Sequence, residues 1–388
     1  MVSTPSRVAA SAARVESRIL QRVTERADEW FPGVGARPAV TLRRLAERPR
    51  AVLYAVDVGE GAGRRPLVLA KVRRGWSGAA QETGARPRLS PDLLPASEQT
   101  ALEFAGLTAI HAIFGDGSPD FGAVRPLEHL SADDAVLMEY VDAPTLRTVL
   151  ARSSRLSPPF RRPRHHGNEP WRRAGRWLRL FQEQMAGDGL PARQATRDDV
   201  VDRFEAFGSF LAGRLGARAV GPAARAGARL AADLLPERLP LAVGHGDYAP
   251  RNVFVAGDGR LTVFDPLSRW RVPRSEDLCR FLVADRLQAI QVHTHGAAYG
   301  VAGLDSRERA VIEGYYGNSD HGDSDDGTAD RRPELRCHQL LITLDRWSAL
   351  VDSPSHGWPA RLRNASLHRA SGYLRKETER LVRLIESD

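Results

Sequence analysis

The residues best equipped for chemistry stand in one stretch, Leu241-Ala-Val-Gly-His245-Gly-Asp247-Tyr-Ala-Pro-Arg-Asn252-Val-Phe-Val-Ala-Gly-Asp-Gly-Arg-Leu-Thr-Val-Phe-Asp265-Pro266. A carboxylate at Asp247 suits the removal of a proton from a hydroxyl, and it precedes an apolar strand. Asp258-Gly259 reads as the two-residue loop of a type I′ hairpin, which sets Asn252 directly opposite Asp265. Directly opposed side chains have Cβ atoms about 5 Å apart, so an amide oxygen and a carboxylate would converge at the open end of this hairpin. That is a hard-oxygen pair, suited to Mg²⁺ carrying phosphates. Proton acceptor and metal ligands thus come from one short segment, with His245 two residues before Asp247.

A second candidate emerges from the lysine census. The chain carries 56 basic residues, and only Lys71 and Lys376 are lysine. Lys376 lies among charges in Leu374–Arg380 and reads as a solvated helix face. Lys71 ends the apolar run Pro66-Leu-Val-Leu-Ala70, so a compact ammonium is kept where arginine is otherwise the rule.

The elements that must position these groups follow from periodicity. Residues 8–30 carry apolar side chains at helical spacing. Residues 38–45, 51–58 and 66–73 read as a three-stranded antiparallel meander with Lys71 on its third strand, joined by loops Ala46–Arg50 and Gly59–Arg65. A helix is predicted over 97–113, through Leu102, Leu107 and Ile110, and strands over 123–127 and 135–141. Ser154–Pro170 reads as an irregular basic loop. Helices follow at 171–186, 197–216, 221–235, 275–291, 305–316, 334–351 and 359–386, interrupted by an acidic, Gly/Ser-rich tract at 318–330 that reads as a mobile loop.

Composition bounds the classes. A chain of 388 residues, 42% hydrophobic and 27% charged, can bury a sizeable core and is too long for one small module. No apolar run reaches the roughly 18 residues of a membrane span, and no signal-peptide pattern opens the chain, so a cytoplasmic protein is expected. Cys279 and Cys337 are too few for a disulfide framework and fit no metal-ligand spacing; both read as buried thiols. The net charge of +8 is compatible with nucleic acid, but no nucleic-acid motif accompanies it and the arginines are spread along the whole chain. Nucleic acid is therefore not expected as a partner.

His245-x-Asp247-x4-Asn252 with the following Asp265 resembles the catalytic core of the aminoglycoside phosphotransferase and choline kinase-like small-molecule kinases, which share the protein-kinase-like fold. The resemblance runs in order along nearly the whole chain. It implies an α+β, bilobal fold, with a β-rich N-terminal nucleotide-binding lobe over 1–141, including the helix at 8–30, and a mainly helical catalytic and substrate-binding lobe over 142–388. It implies that Asp247 is the catalytic base, that Asn252 and Asp265 hold Mg²⁺, and that Lys71 holds the α- and β-phosphates of ATP. GTP stays open as the donor. A helix glutamate, Glu103 or alternatively Glu98, would pair with Lys71, and the carbonyl of Glu139 and amide of Val141 would face the adenine.

There are departures from the pattern. Gly246 stands where protein kinases usually have arginine, and Phe264-Asp265-Pro266 replaces Asp-Phe-Gly. The Ala46–Arg50 loop, expected over the phosphates, has no glycine, leaving Arg50 as a phosphate contact. Arg251 stands as a phosphate contact, an acceptor contact or a solvated arginine. Trp171, Trp177, Trp270, Tyr315 and Trp347 either stack on a sugar ring or belong to the core. The activity implied is transfer of the γ-phosphoryl group to a hydroxyl of a small molecule: a sugar, an amino alcohol, a glycan-type metabolite or an aminoglycoside. The alternative is a non-catalytic kinase-like scaffold or nucleotide-binding protein. The oligomeric state is open.

Overall fold

The computed structural model describes residues 4–35, 38–74, 86–89, 94–115, 118–156, 167–317, 333–352 and 360–387. The expected acidic loop at 318–330, and residues 157–166 of the expected basic loop, lie outside these. The chain divides into two compact units, one formed by 1–80, 93–118 and 122–142, the other by 81–92, 119–121 and 143–388.

The first unit is built on a five-stranded antiparallel sheet. Helix α1 (Thr4–Trp30) precedes β1 (Val40–Arg48), β2 (Ala51–Val58) and β3 (Arg65–Arg73); α2 (Ala96–Phe114), β5 (Pro126–Leu130) and β6 (Ala135–Glu139) follow, and β4 (Phe121–Ala123), between α2 and β5 in sequence, lies outside this sheet. Sheet order is β1-β2-β3-β6-β5. Alternation along the strands assigns the faces. Val52, Tyr54, Val56, Val58, Val68 and Ala70 pack with Ile19, Val23, Ala27 and Trp30 of α1. Lys71 alternates to the opposite face, where α2 supplies its partner.

The second unit is mainly helical: α3 (Leu146–Ser153), α4 (Glu169–Gln184), α5 (Arg197–Leu215), α6 (Ala217–Leu234), α7 (Glu276–Arg286), α8 (Ala289–His293), α9 (Val301–Tyr316), α10 (Pro333–Asp352) and α11 (Ala360–Glu386). Between α6 and α7 run four short strands, β7 (Leu241–Val243), β8 (Val253–Val255), β9 (Leu261–Val263) and β10 (Arg271–Pro273). Helix starts carry their sequence signals. Thr196 and Asp199 form a reciprocal capping box on α5, and the Thr145 side chain accepts from the Thr148 amide on α3. Helices α4 and α9 approach at two glycines. A Cβ on Gly314 would lie 1.8 Å from the Arg172 carbonyl, and one on Gly175 2.0 Å from that of Val311.

Several expected boundaries move. The expected Ala46–Arg50 loop is mostly strand: β1 continues to Arg48 through a bulge at Arg44/Ala46, leaving Pro49-Arg50 as the turn. Charged side chains on this edge strand hid its pattern. The strand expected at 123–127 is two strands, β4 and β5, and the one at 135–141 ends at Glu139. Helix α6 begins four residues before the expected 221, with Pro222 inside it, and the helix expected over 275–291 breaks at Leu287-Gln288 into α7 and α8.

Candidate active site

In the first unit, Lys71 sits on an interior strand between Leu53 of β2 and Val136 of β6. Its Nζ lies 2.7 Å from Oε1 of Glu103, and the Arg73 guanidinium lies 2.7 Å from the other carboxylate oxygen. Glu103 is fully buried and Lys71 nearly so. Such a carboxylate is retained only because cations meet both oxygens. Glu98, the alternative partner, is exposed in the first turn of α2. Arg73, two residues along the same face of β3, was not legible as part of this site; period-2 alternation was the signal that could have found it.

Glu139 closes β6, its amide donating to the Arg125 carbonyl at 2.9 Å. Tyr140, between Glu139 and Val141, donates from its amide to the Leu67 carbonyl at 2.9 Å, which fixes the backbone there.

In the second unit, β7 leads into His245 and Asp247. His245 is buried, edge-on to Trp177, Phe181 and Tyr248. Burial lowers its pKa to about 4 against the pull of Asp247 and Asp265, so the ring is neutral at pH 7. Its Nδ1 accepts from the Asp247 amide at 3.4 Å, a brace rather than a proton carrier. Gly246 adopts φ +83°, and a Cβ there would lie 2.8 Å from the Leu267 carbonyl. Glycine at this position is therefore required by the loop's path.

The hairpin differs from the expected register. Val253 pairs with Val263, Phe254 with Thr262 and Val255 with Leu261. The loop is three residues, Gly257-Asp258-Gly259: Ala256 and Arg260 close it, Gly259 takes φ +84°, and Asp258 Oδ1 accepts from the Arg260 amide at 2.9 Å. Phe264, not Asp265, then lies opposite Asn252, its amide donating to the Asn252 carbonyl at 3.1 Å. A one-residue slip would normally turn Asp265 to the wrong face. Here Asp265 leaves the strand with φ +64°, and two residues later Leu267 donates to the His245 carbonyl at 2.8 Å. Segments 245–252 and 264–267 are thus tied at both ends, with Asp265 between the ties.

Asp247 is held on both oxygens. Asn252 Nδ2 donates to Oδ2 at 2.9 Å and to the Asp247 carbonyl at 2.8 Å, while Arg251 pairs with Oδ1. Fixing the amide nitrogen inward leaves the Asn252 amide oxygen as the group able to meet a cation. Among the described residues no cluster of three or more His, Cys, Asp or Glu side chains is arranged to hold a metal. An amide oxygen with one carboxylate suits Mg²⁺, which keeps waters and takes the rest of its shell from phosphate.

Sequence reasoning missed Asp277, at the start of α7. Buried, it accepts from the His245 amide at 2.5 Å and from the Gly246 amide, anchoring the loop from below. Burial, and then Glu276, push its pKa up to about 6. Acidic residues are ordinary at helix starts, so Glu276-Asp277 carried no distinguishing signal. The aromatics divide clearly: Trp171, Trp177, Tyr315 and Trp347 are buried core residues, and only Trp270 is partly exposed. Both cysteines are buried.

No protein-family model and no curated protein sequence matches the chain. Solved structures do. A choline/ethanolamine kinase family protein from Mesorhizobium loti superposes with a TM-score of 0.50 at 13% identity, covering 96% of this chain and all of that one. The ethanolamine kinase of Plasmodium vivax gives a TM-score of 0.50 at 8% identity, over 87% of this chain and 84% of that one. At such identities the likeness is one of fold. A β-sheet N-terminal region followed by a helical C-terminal region, in this order of elements, is the mixed α+β fold of the protein-kinase-like small-molecule kinases.

Proposed function

We propose that the chain is a phosphotransferase that moves the γ-phosphoryl group of ATP, with GTP as the alternative donor, to a hydroxyl of a small molecule. The observation that carries this reading is the pair of backbone ties, Phe264 to Asn252 and Leu267 to His245, which gather Asp247, Asn252 and Asp265 into one constellation. Asp247 accepts the hydroxyl proton as the oxygen attacks phosphorus, and the nucleoside diphosphate leaves with the bridging oxygen. Asn252 orients the carboxylate, and Asp277 fixes the loop that carries it. Asn252 and Asp265 would hold Mg²⁺, which supplies charge neutralisation to the phosphates when bound. Lys71, kept oriented by Glu103, serves the α- and β-phosphates, and the backbone at Glu139 and Val141 serves the base. Catalysis on this reading is mainly positioning and electrostatics. A cytoplasmic location fits it.

The test is thermal stabilisation of the purified protein by ATP and by GTP, each with and without Mg²⁺, followed by phosphate transfer to sugars, amino alcohols and aminoglycosides. A Mg²⁺-dependent rise and turnover of one acceptor class are expected. No shift with either nucleotide at millimolar concentration overturns the reading in favour of a scaffold.

A further inference from the structure

Beside the Asp247 loop, within the second unit, lies a cavity of about 220 Å³. Its walls come from the loop itself at Pro250 and Arg251, from the α7–α8 corner at Leu287 and Gln288, from α3 at Arg147 and from α10 at Arg346. Three arginines from three separate elements line it, and no acidic residue does. Arg251 is paired with Asp247. The side chains of Arg147 and Arg346 form no ion pair or hydrogen bond among the described residues.

Arg346 is the informative one. The acid beside it in sequence, Asp345, is bonded to Arg86 at 3.0 Å, and the neighbouring Arg280 to Glu276 at 2.8 Å. Arg346 is half-buried; desolvation, and next the charge of Arg280, lower its pKa, and the nearby charges of Asp345 and Asp247 oppose them only in part. An anion entering the cavity would favour this guanidinium further.

We infer that this cavity is an anion-recognition pocket, and that, on the phosphotransferase reading above, it takes a carboxylate or phosphate borne by the acceptor. Arg346 and Arg147 grip that group, a planar guanidinium matching a carboxylate or phosphate edge with two hydrogen bonds. Arg251 lines the same cavity while touching Asp247, so a bound anion sits one side chain away from the proton acceptor. A cationic acceptor such as choline or an aminoglycoside would bring its ammonium groups against the like charges of Arg147 and Arg346. The cavity volume matches the head of a small metabolite.

The experiment uses inorganic phosphate as the probe, read by thermal shift on the wild type, Arg346→Gln, Arg346→Lys and Arg147→Gln, alongside Mg²⁺·ATP affinity for each. Acceptors are then compared in pairs: glycerol with glycerate, glucose with glucose 6-phosphate, and choline and ethanolamine with serine. Phosphate stabilises the wild type, its affinity falls by about tenfold or more in both Gln variants and less in Arg346→Lys, and Mg²⁺·ATP affinity stays within about threefold. The carboxylate- or phosphate-bearing member of each pair is the better acceptor. Unchanged phosphate affinity in both Gln variants overturns the pocket. A parallel loss of Mg²⁺·ATP affinity, or a preference for choline or ethanolamine over serine, which adds a carboxylate to the amino alcohol, overturns the acceptor assignment. Arg346-dependent phosphate binding by a protein that binds no nucleotide leaves the pocket standing and fails only the phosphotransferase reading.

Discussion

One amide nitrogen of Asn252 holds Asp247 twice, through the backbone carbonyl at 2.8 Å and the carboxylate at 2.9 Å. Backbone and side chain of Asp247, the proposed proton acceptor, are thus both held by a single buried group. Asn252→Ala is expected to lower turnover by about 100-fold or more and to raise the Mg²⁺ concentration needed for half-maximal activity. Steady-state kinetics across a Mg²⁺ titration checks both, and wild-type values for either would detach Asn252 from the site.

Asp247→Asn removes the proposed proton acceptor and keeps its shape. Transfer should fall by about 10²–10⁴-fold while Mg²⁺·ATP affinity stays within a few-fold. Calorimetric binding beside a coupled assay separates the two, and turnover near wild type would end the base assignment.

Glu103 serves two cations, which makes the consequences of removing either partner unequal. Lys71→Met leaves Glu103 paired with Arg73, so nucleotide affinity should drop with little loss of stability. Glu103→Ala removes the buried carboxylate that both Lys71 and Arg73 share and should cost about 3–5 kcal/mol. Denaturant midpoints decide it: equal destabilisation by the two substitutions would contradict the shared geometry.

Two buried groups give opposite pH dependences. His245, depressed to about 4, contributes stability that is present above its unfolded value near 6.5 and is lost as the pH falls through 4. Asp277, raised to about 6, contributes stability that is present below its unfolded value and is lost as the pH rises through 6. Each shift corresponds to about 3 kcal/mol, so between about pH 4 and 6 the two nearly offset in the wild type. Relative to wild type, His245→Gln should therefore gain stability on acidification from pH 7 to 4, and Asp277→Asn should lose it. Urea denaturation at stepped pH reads both slopes; curves parallel to wild type would show that neither group is shifted.

The proposed site was readable as one candidate segment because its spacing is local: Asp247 and Asn252 lie on one loop, and Asp265 follows one hairpin later. The register was not. Gly257-Asp258-Gly259 contains an Asp-Gly pair that mimics a two-residue turn, and the choice between loop lengths rests on which glycine takes the left-handed conformation. Lys71 stood out through the lysine census, whereas its partner came only from the resemblance and stayed open between Glu103 and Glu98 until the 2.7 Å pair chose Glu103. The anchoring role of Asp277 and the second cation on Glu103 are tertiary facts, set by which buried oxygen meets which donor. Of the cavity's arginines only Arg251 was singled out, by its place beside Asn252; 54 of the 56 basic residues are arginine, and composition gave no reason to separate Arg147 or Arg346 from the rest.

The scarcity of lysine has a use beyond the reading of the site. Besides the chain's amino terminus, an amine-directed reagent has two targets: Lys376, exposed on α11, and Lys71, 5% exposed and bonded to Glu103. Intact mass after labelling therefore becomes a direct gauge of how often the inner strand face opens, with Lys376 as the internal standard. This clock on one side chain requires no substitution at all.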